Sequence, residues 1–336
     1  MSSVIIQWIT GFVLLIIKLG IVLLALLLGA AYLVLAERKL LARMQIRIGP
    51  NRAGPFGLLQ PIADLIKMMT KEDVIPRGAD RVIFRYAPAV AASTAMLIFA
   101  VVPFGDSLTL WGNRIPLVIT DLNVGLLAVL GLSSLGVYGV ALGGWASNSK
   151  YSLLGAIRGV SQMISYELSL GLSLVPVVMM AGSFSLVDIV AAQTSTPFIF
   201  VQPVSFAIFF VSAMAEIKRI PFDLPEAENE LIAGYHTEYS GLRFGLFFLG
   251  EYVTLVTLGA LTAVFFLGGW HGPFFPGIIW LLIKIAVVAF GMIWVRGTLP
   301  RLRSDQLMDM GWKFLTPLAL ANIIVTGAAL LMLTAK

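Results

Sequence analysis

Eight long apolar stretches alternate along the chain with connections of two kinds. Uncharged or nearly uncharged runs cover residues 9 to 36, 86 to 104, 122 to 146, 159 to 182, 198 to 217, 241 to 268, 277 to 295 and 314 to 334, to within a few residues. A helix needs about 20 apolar residues to cross a bilayer core, so this pattern predicts about eight transmembrane helices in an all-α, polytopic integral membrane fold. The opening MSSVIIQWIT has no basic lead, and the run ending at Ala36 has no small-residue cleavage site, so it reads as a span and not as a signal peptide. The connections leave no room for a large extramembrane domain, and residues 1–336 are expected to form a single membrane domain. No repeat of fixed period is present, which argues against an inverted-repeat transporter.

Composition sharpens this reading: 59% of the residues are hydrophobic and only 12% charged. The positive charges add an orientation. Ten Lys and Arg fall in the first connection, two in the third, three in the fifth and four in the seventh, which is 19 of the 23. By the positive-inside bias these odd-numbered, charged loops are cytoplasmic and both termini face out. The outer connections are short and small-residue in character, and Ser185 to Gln193 suits a short surface helix.

The candidate chemistry lies mostly on the charged side. In the first connection, GPNRAGPFG is a turn cluster, and the FGLLQPIADLIKMM that follows puts Phe56, Leu59, Ala63 and Ile66 on one helical face. That is an amphipathic interfacial helix, and equally a doorway for an amphipathic molecule leaving the lipid. The fifth connection, EIKRIPFDLPEAENELIAGYHTEYSG, carries six of the 18 carboxylates. Asp223 and Glu226 match a capping box, but Glu230 one turn later repels Glu226 on a helix, so the crowding points to carboxyls that share protons. A solvated acidic face is the plainer alternative. Lys18, Glu167, Glu251 and Lys284 fall inside spans, where a charge needs a partner or water. Lys284 paired with Glu251 or Glu167 would meet that need by fixing helix packing alone. With no cysteine and two histidines far apart in sequence, the chain has no thiolate for zinc or an iron–sulfur cluster and no His pair for an intramembrane haem. It also lacks a phosphate-binding glycine loop.

Four segments taken together carry a family resemblance: ERKLLARMQIRIGPNRAGPFGLLQPIADLIK, KYSLLGAIRGVSQMISYELSLGLSL, EIKRIPFDLPEAENELIAGYHTEYSG with FGLFFLGEY, and WVRGTLPRLRSDQLMDMGWK. In this order they resemble the quinone-chamber membrane subunits of the proton-pumping NADH-quinone oxidoreductases, the family that includes subunit 1 of mitochondrial complex I. The resemblance runs nearly end to end, with small departures such as Lys39 where Arg is frequent.

The resemblance implies a bacterial inner-membrane subunit that walls a quinone access chamber and couples quinone reduction to proton translocation. Carried onto this chain, the quinone-binding lining would include Arg38, Arg47, Asp64, Phe244, Phe248, Tyr252, Arg296 and Arg301. The proton path would use Glu167, Glu216, Asp223, Glu226, Glu228 and Glu251, with Arg219 and Lys284 as counter-charges. The substrate would be ubiquinone or menaquinone, while NADH, FMN and iron–sulfur clusters would sit on partner subunits. The partners implied are hydrophilic iron–sulfur subunits at the cytoplasmic face, antiporter-like membrane subunits and lipid, with no nucleic acid. The residues agree independently in one respect: Phe244, Phe248 and Tyr252 form a stripe at helical i,i+4 spacing, suited to an isoprenoid tail or to ordinary core packing. Two other readings stay open from the residues: the equivalent subunit of a membrane-bound hydrogenase or an F420H2- or ferredoxin-linked complex, and a free-standing cation/proton antiporter.

Overall fold

The computed structural model describes residues 2–110 and 113–334. Its helices are α1 (Ser2–Met44), α2 (Gln60–Thr70), α3 (Arg81–Val101), α4 (Gly125–Ala146), α5 (Lys150–Ala181), α6 (Leu186–Ala191), α7 (Phe198–Val201), α8 (Pro203–Glu216), α9 (Glu228–Leu231), α10 (Gly241–Phe266), α11 (Gly277–Thr298), α12 (Ser304–Asp309) and α13 (Thr316–Thr334). A π-helical turn, Met310–Leu315, joins the last two. Between α3 and α4 an antiparallel hairpin pairs β1 (Ser107–Leu110) with β2 (Asn113–Pro116), a small departure from the all-helical expectation.

Among the described residues, seven helices are long and apolar enough to cross a membrane, and Pro203–Glu216 is a shorter apolar helix. The expected fifth span is thus divided. Pro203 opens α8 without an N–H to give, and Gln202 before it leaves helical geometry at φ −125° and ψ 56°. At the break the buried Gln202 side chain donates to Thr326 and accepts from Asn322, which ties this point of the chain to α13.

Helix α10 is the axis of the bundle. From Gly250 to Phe266 its residues are buried almost all round, with α3, α1 and α11 packed against it, as expected of a helix without a solvent face. Helix α5 forms a second axis, touching α4, α8 and α13. Close approach depends on small residues: a Cβ on Gly139 of α4 would lie 2.6 Å from Ala91 of α3. By contrast, α1 from Phe12 to Leu28 turns exposed Leu, Ile, Val and Phe outward, the surface required against lipid or another membrane chain.

The in-span lysines are satisfied locally. Lys18 donates to the Pro116 carbonyl at 2.9 Å. Lys284 donates to the carbonyls of Gly269 and His271 at 2.8 and 2.7 Å, capping the end of α10 far from the acidic loop. The expected pairing of Lys284 with a membrane carboxylate is therefore not formed, because the amine reaches a cluster of helix-end carbonyls within its own hairpin.

Candidate functional site

The acidic fifth connection folds inward over the bundle end. Its apolar residues Phe222, Leu224 and Leu231 enter the core, and Gln162 of α5 donates to the carbonyls of Ala215 and Phe222, both at 2.7 Å. Gly155 of α5 makes the fit possible, since a Cβ there would lie 2.7 Å from the Pro225 carbonyl and 2.8 Å from the Tyr235 nitrogen. Helix starts only at Glu228, with Ala227 as its cap, so Asp223 and Glu226 form no capping box and Glu226 and Glu230 do not share a helical turn. Glu230 instead faces outward to Arg158 at 2.5 Å and Arg301 at 3.6 Å.

This inward fold closes a polar chamber of about 370 Å³ between α1, α10, α11 and the loop. Helix α10 supplies Phe244, Phe247, Phe248, Glu251 and Tyr252, which share one face by their i, i+3/i+4, i+7/i+8 spacing. Phe248 lies between Phe244 and Tyr252, with ring centroids at 6.1 and 4.8 Å. The loop adds Arg219, Asp223, Glu226 and His236, α1 adds Glu37 and Arg38, and α11 adds Arg296.

At the chamber wall, charges are buried and paired. Glu37 is 2% exposed and accepts from Arg219 at 2.5 Å and from Arg296. Arg219 also approaches Glu251 at 3.7 Å and lies 3.9 Å above the Tyr252 ring. It is thus placed as a cation between two buried carboxylates. Glu251, 8% exposed, accepts the Tyr235 hydroxyl at 3.1 Å, and it lines the chamber together with Glu226. Like charges in one buried site disfavour ionisation of both carboxyls. Burial first, then the charges of Glu251 and Asp223, push Glu226 well above the ordinary carboxylate range. Burial likewise lifts Asp223 to about 6, against the pull of Arg301, and its Oδ1 has no hydrogen-bond partner among the described residues.

A second cavity, of about 360 Å³, is an apolar groove between α1, α2 and α10. Pro61, Ile62, Leu65 and Met68 of α2 form one side, Leu24 to Val34 of α1 another, and Leu242 to Tyr252 of α10 the third. Helix α2 has no buried residue, as suits an interfacial helix. Asp64 fixes it to α1 through Arg38 at 2.7 Å. Arg38, Phe248 and Tyr252 line both groove and chamber, so the two cavities share a wall. A third, smaller cavity of about 60 Å³ lies deeper among α3, α4, α5, α8 and α10, lined by Glu167, Glu216, Lys218, Tyr235 and again Glu251. Glu167 accepts from Ser134 and, at 3.2 Å, from Ser133.

Of the sequence candidates, Arg38, Phe244, Phe248, Tyr252, Arg296, Asp223, Glu226 and Glu251 meet at the chamber, Asp64 lines the groove, and Glu167 and Glu216 line the inner cavity. Arg47 is exposed, bonds Gln45 at 2.7 Å and lines neither of the larger cavities. Arg301 pairs with Glu230 and lines neither of the larger cavities. The Glu228 side chain lies outside the described residues. Sequence reasoning missed Glu37 and Phe247. Glu37 stands one residue before Arg38, where the apolar run ends, and a carboxylate that close to a span with arginines elsewhere at the same membrane face was the available signal.

Comparison with known proteins gives this geometry its setting. Residues 17–327 match the family model described as NADH dehydrogenase. The second H-type subunit of the NADH-quinone oxidoreductase of Syntrophobacter fumaroxidans is 73% identical, the match covering 96% of this chain and 97% of the relative. The first H-type subunit of Geobacter metallireducens is 64% identical over 94% and 96%, and that of Thermomicrobium roseum 52% identical over 97% and 96%. The chain belongs to this H-type family and is a multi-pass membrane subunit of bacterial NADH-quinone oxidoreductase, respiratory complex I, with the other subunits of that complex as its partners.

Proposed function

We propose that this subunit provides the membrane access route and part of the reaction chamber for a quinone, and passes protons linked to quinone reduction into the membrane through its carboxylates. One observation carries the reading: an apolar groove at the bilayer edge shares Arg38, Phe248 and Tyr252 with a charged chamber. An isoprenoid quinone needs both surfaces, an apolar channel for the tail and donors for the headgroup carbonyls. Arg38, Arg296 and Tyr252 offer such donors, and the Phe248 ring can stack on a quinone ring or pack against the tail. Ubiquinone and menaquinone both fit this chemistry. Electrons must come from elsewhere, since the chain has no cysteine and the described residues hold no group of three or more His, Asp or Glu placed to bind a metal. NADH, FMN and iron–sulfur clusters accordingly belong to partner subunits at the cytoplasmic end, and antiporter-like membrane subunits take up the coupled protons.

Proton handling follows from the chamber's own groups. Reduction of a quinone to a quinol consumes two protons, and Glu226 and Asp223, both raised in proton affinity, stand beside the chamber to supply them. Glu251 then links the chamber to the inner cavity with Glu216 and Glu167. With the family shown, the free-standing antiporter reading is set aside. The test is Phe248→Trp in the assembled complex. Filling the shared wall should lower quinone-linked turnover about tenfold or more, because one misplaced contact in a bound geometry costs that much, while oxidation of NADH by a hydrophilic artificial acceptor stays intact. Unchanged quinone kinetics would remove this groove from the route.

A further inference from the structure

We infer that the Tyr235 hydroxyl is the proton relay between the chamber and the inner cavity. The inference rests on the carboxylate path proposed above and adds to it a residue at the crossing. The chamber and the inner cavity have two lining residues in common, Phe247 and Glu251. A phenyl ring carries no exchangeable proton, so Glu251 is the polar group common to both walls. On the inner side its partner is Tyr235, fully buried, with Oη 3.1 Å from the Glu251 carboxylate. Neighbouring His236 lines the chamber and Tyr235 the inner cavity, so the loop backbone places these two side chains on opposite sides of the wall.

The chemistry balances without any added reagent. A hydroxyl both donates and accepts. At rest the Tyr235 hydroxyl donates to Glu251; once Glu251 receives a proton from the Glu226 carboxyl, the hydroxyl turns toward the inner cavity, accepts that proton at Oη and passes its own proton on. There Glu216 and Glu167 are the acceptors, directly or through water. At about 60 Å³ the cavity has room for a few waters, each needing roughly 10–15 Å³ of such volume. Its wall offers them hydroxyls, including that of Thr257, which is buried and has no hydrogen-bond partner among the described residues. The proton arriving from Glu251 and the proton leaving the hydroxyl move together, so no phenolate forms. Burial and the charges of Glu251, Glu226 and Asp223 all oppose ionisation of Tyr235, while Lys218 lies 5.4 Å from the ring and His236 packs edge-on at 4.8 Å.

Tyr235→Phe keeps the ring and its packing on Phe247 but removes the relay. In proteoliposomes, normalised to assembled complex by the artificial-acceptor rate, it should lower kcat for quinone and proton uptake together, on the order of 10²-fold, the lower end for a positioned acid–base group. KM for quinone should stay unchanged, because Tyr235 does not line the chamber. Glu251→Gln is measured beside it. Normal turnover in Tyr235→Phe with impaired Glu251→Gln overturns the relay and leaves the carboxylate path standing; normal turnover in both overturns the path itself. A raised KM with unchanged kcat would also overturn the relay, as a packing defect. Should the Phe variant not assemble, a ring-fluorinated tyrosine at 235 keeps shape and hydroxyl. The altered acidity of its phenol should change kcat and the solvent deuterium isotope effect on kcat with KM unchanged, and an unaltered kcat and isotope effect overturn the proposal.

Discussion

Replacing Glu37 with Gln tests whether the chamber is held by its buried ion cluster. Glu37 takes Arg219 on one oxygen at 2.5 Å and Arg296 on the other, and its side chain is 3% exposed. Removing one partner of a buried ion pair costs about 3 to 5 kcal/mol, because the remaining charge stays buried without compensation. Two features set the expectation at the lower end of that range. Arg219 retains Glu251 at 3.7 Å, and Arg296, 31% exposed, can regain water. A loss of about 3 kcal/mol corresponds to roughly a hundredfold change in the balance between the closed chamber and an opened one. Arg219 should then turn to Glu251 alone and distort the chamber wall, so turnover suffers as well as stability. The assay is the rate of heat inactivation of quinone-linked turnover in the purified complex, since large membrane assemblies unfold irreversibly. Glu37→Gln should inactivate faster and turn over more slowly, with artificial-acceptor activity retained. A cycle with Arg296→Gln should recover part of the loss, with a coupling energy of about 1 to 3 kcal/mol. Wild-type inactivation and turnover in Glu37→Gln would refute the cluster's role.

Asp223 has its pKa raised in the fold, from 3.8 to about 6, so its favourable contribution is present below the unfolded value and is lost as pH climbs through the folded one. Asp223→Asn should therefore stabilise the complex at pH 7 to 8 by up to about 3 kcal/mol, two units of pKa, with no gain at pH 4, read as heat-inactivation rate across pH; its quinone turnover should fall. Gly155→Ala pushes a methyl into the Pro225 carbonyl and the Tyr235 nitrogen, and the overpacking should cost about 1 to 3 kcal/mol and lower quinone turnover through the displaced loop. Lys284→Gln should weaken the outer turn by about 1 kcal/mol and leave proton uptake per turnover unchanged, whereas a counter-charge to a membrane carboxylate would alter it.

The membrane fold was legible because the bilayer imposes a length and a polarity on every crossing element, and seven of the eight apolar runs became single long helices. The remaining run, the fifth, was legible as apolar but not as broken, since Pro203 alone does not tell whether a helix kinks, stops or starts; the Gln202–Asn322 contact comes from a distant helix. The acidic loop shows the same limit in the other direction. Local rules read Asp223-x-x-Glu226 as a helix start, and tertiary packing overrode them by drawing Phe222 and Leu224 into the core and seating Pro225 on Gly155.

For the site, residue type and spacing along one helix carried most of what could be read. Phe244, Phe248, Glu251 and Tyr252 lie on one element, where i,i+4 arithmetic holds whatever the surroundings, and all four reach the chamber. What joins separate elements could not be read that way. Arg219 had several intramembrane or near-membrane carboxylates to choose from, among them Glu37, Glu167, Glu216 and Glu251, and its pairing with Glu37 and Glu251 depends on how α1 crosses α10. Because Arg219 joins Glu37 of α1 to Glu251 of α10, the chamber wall is one connected ion cluster rather than a set of separate pairs, and its geometry is fixed only when both helices are in place.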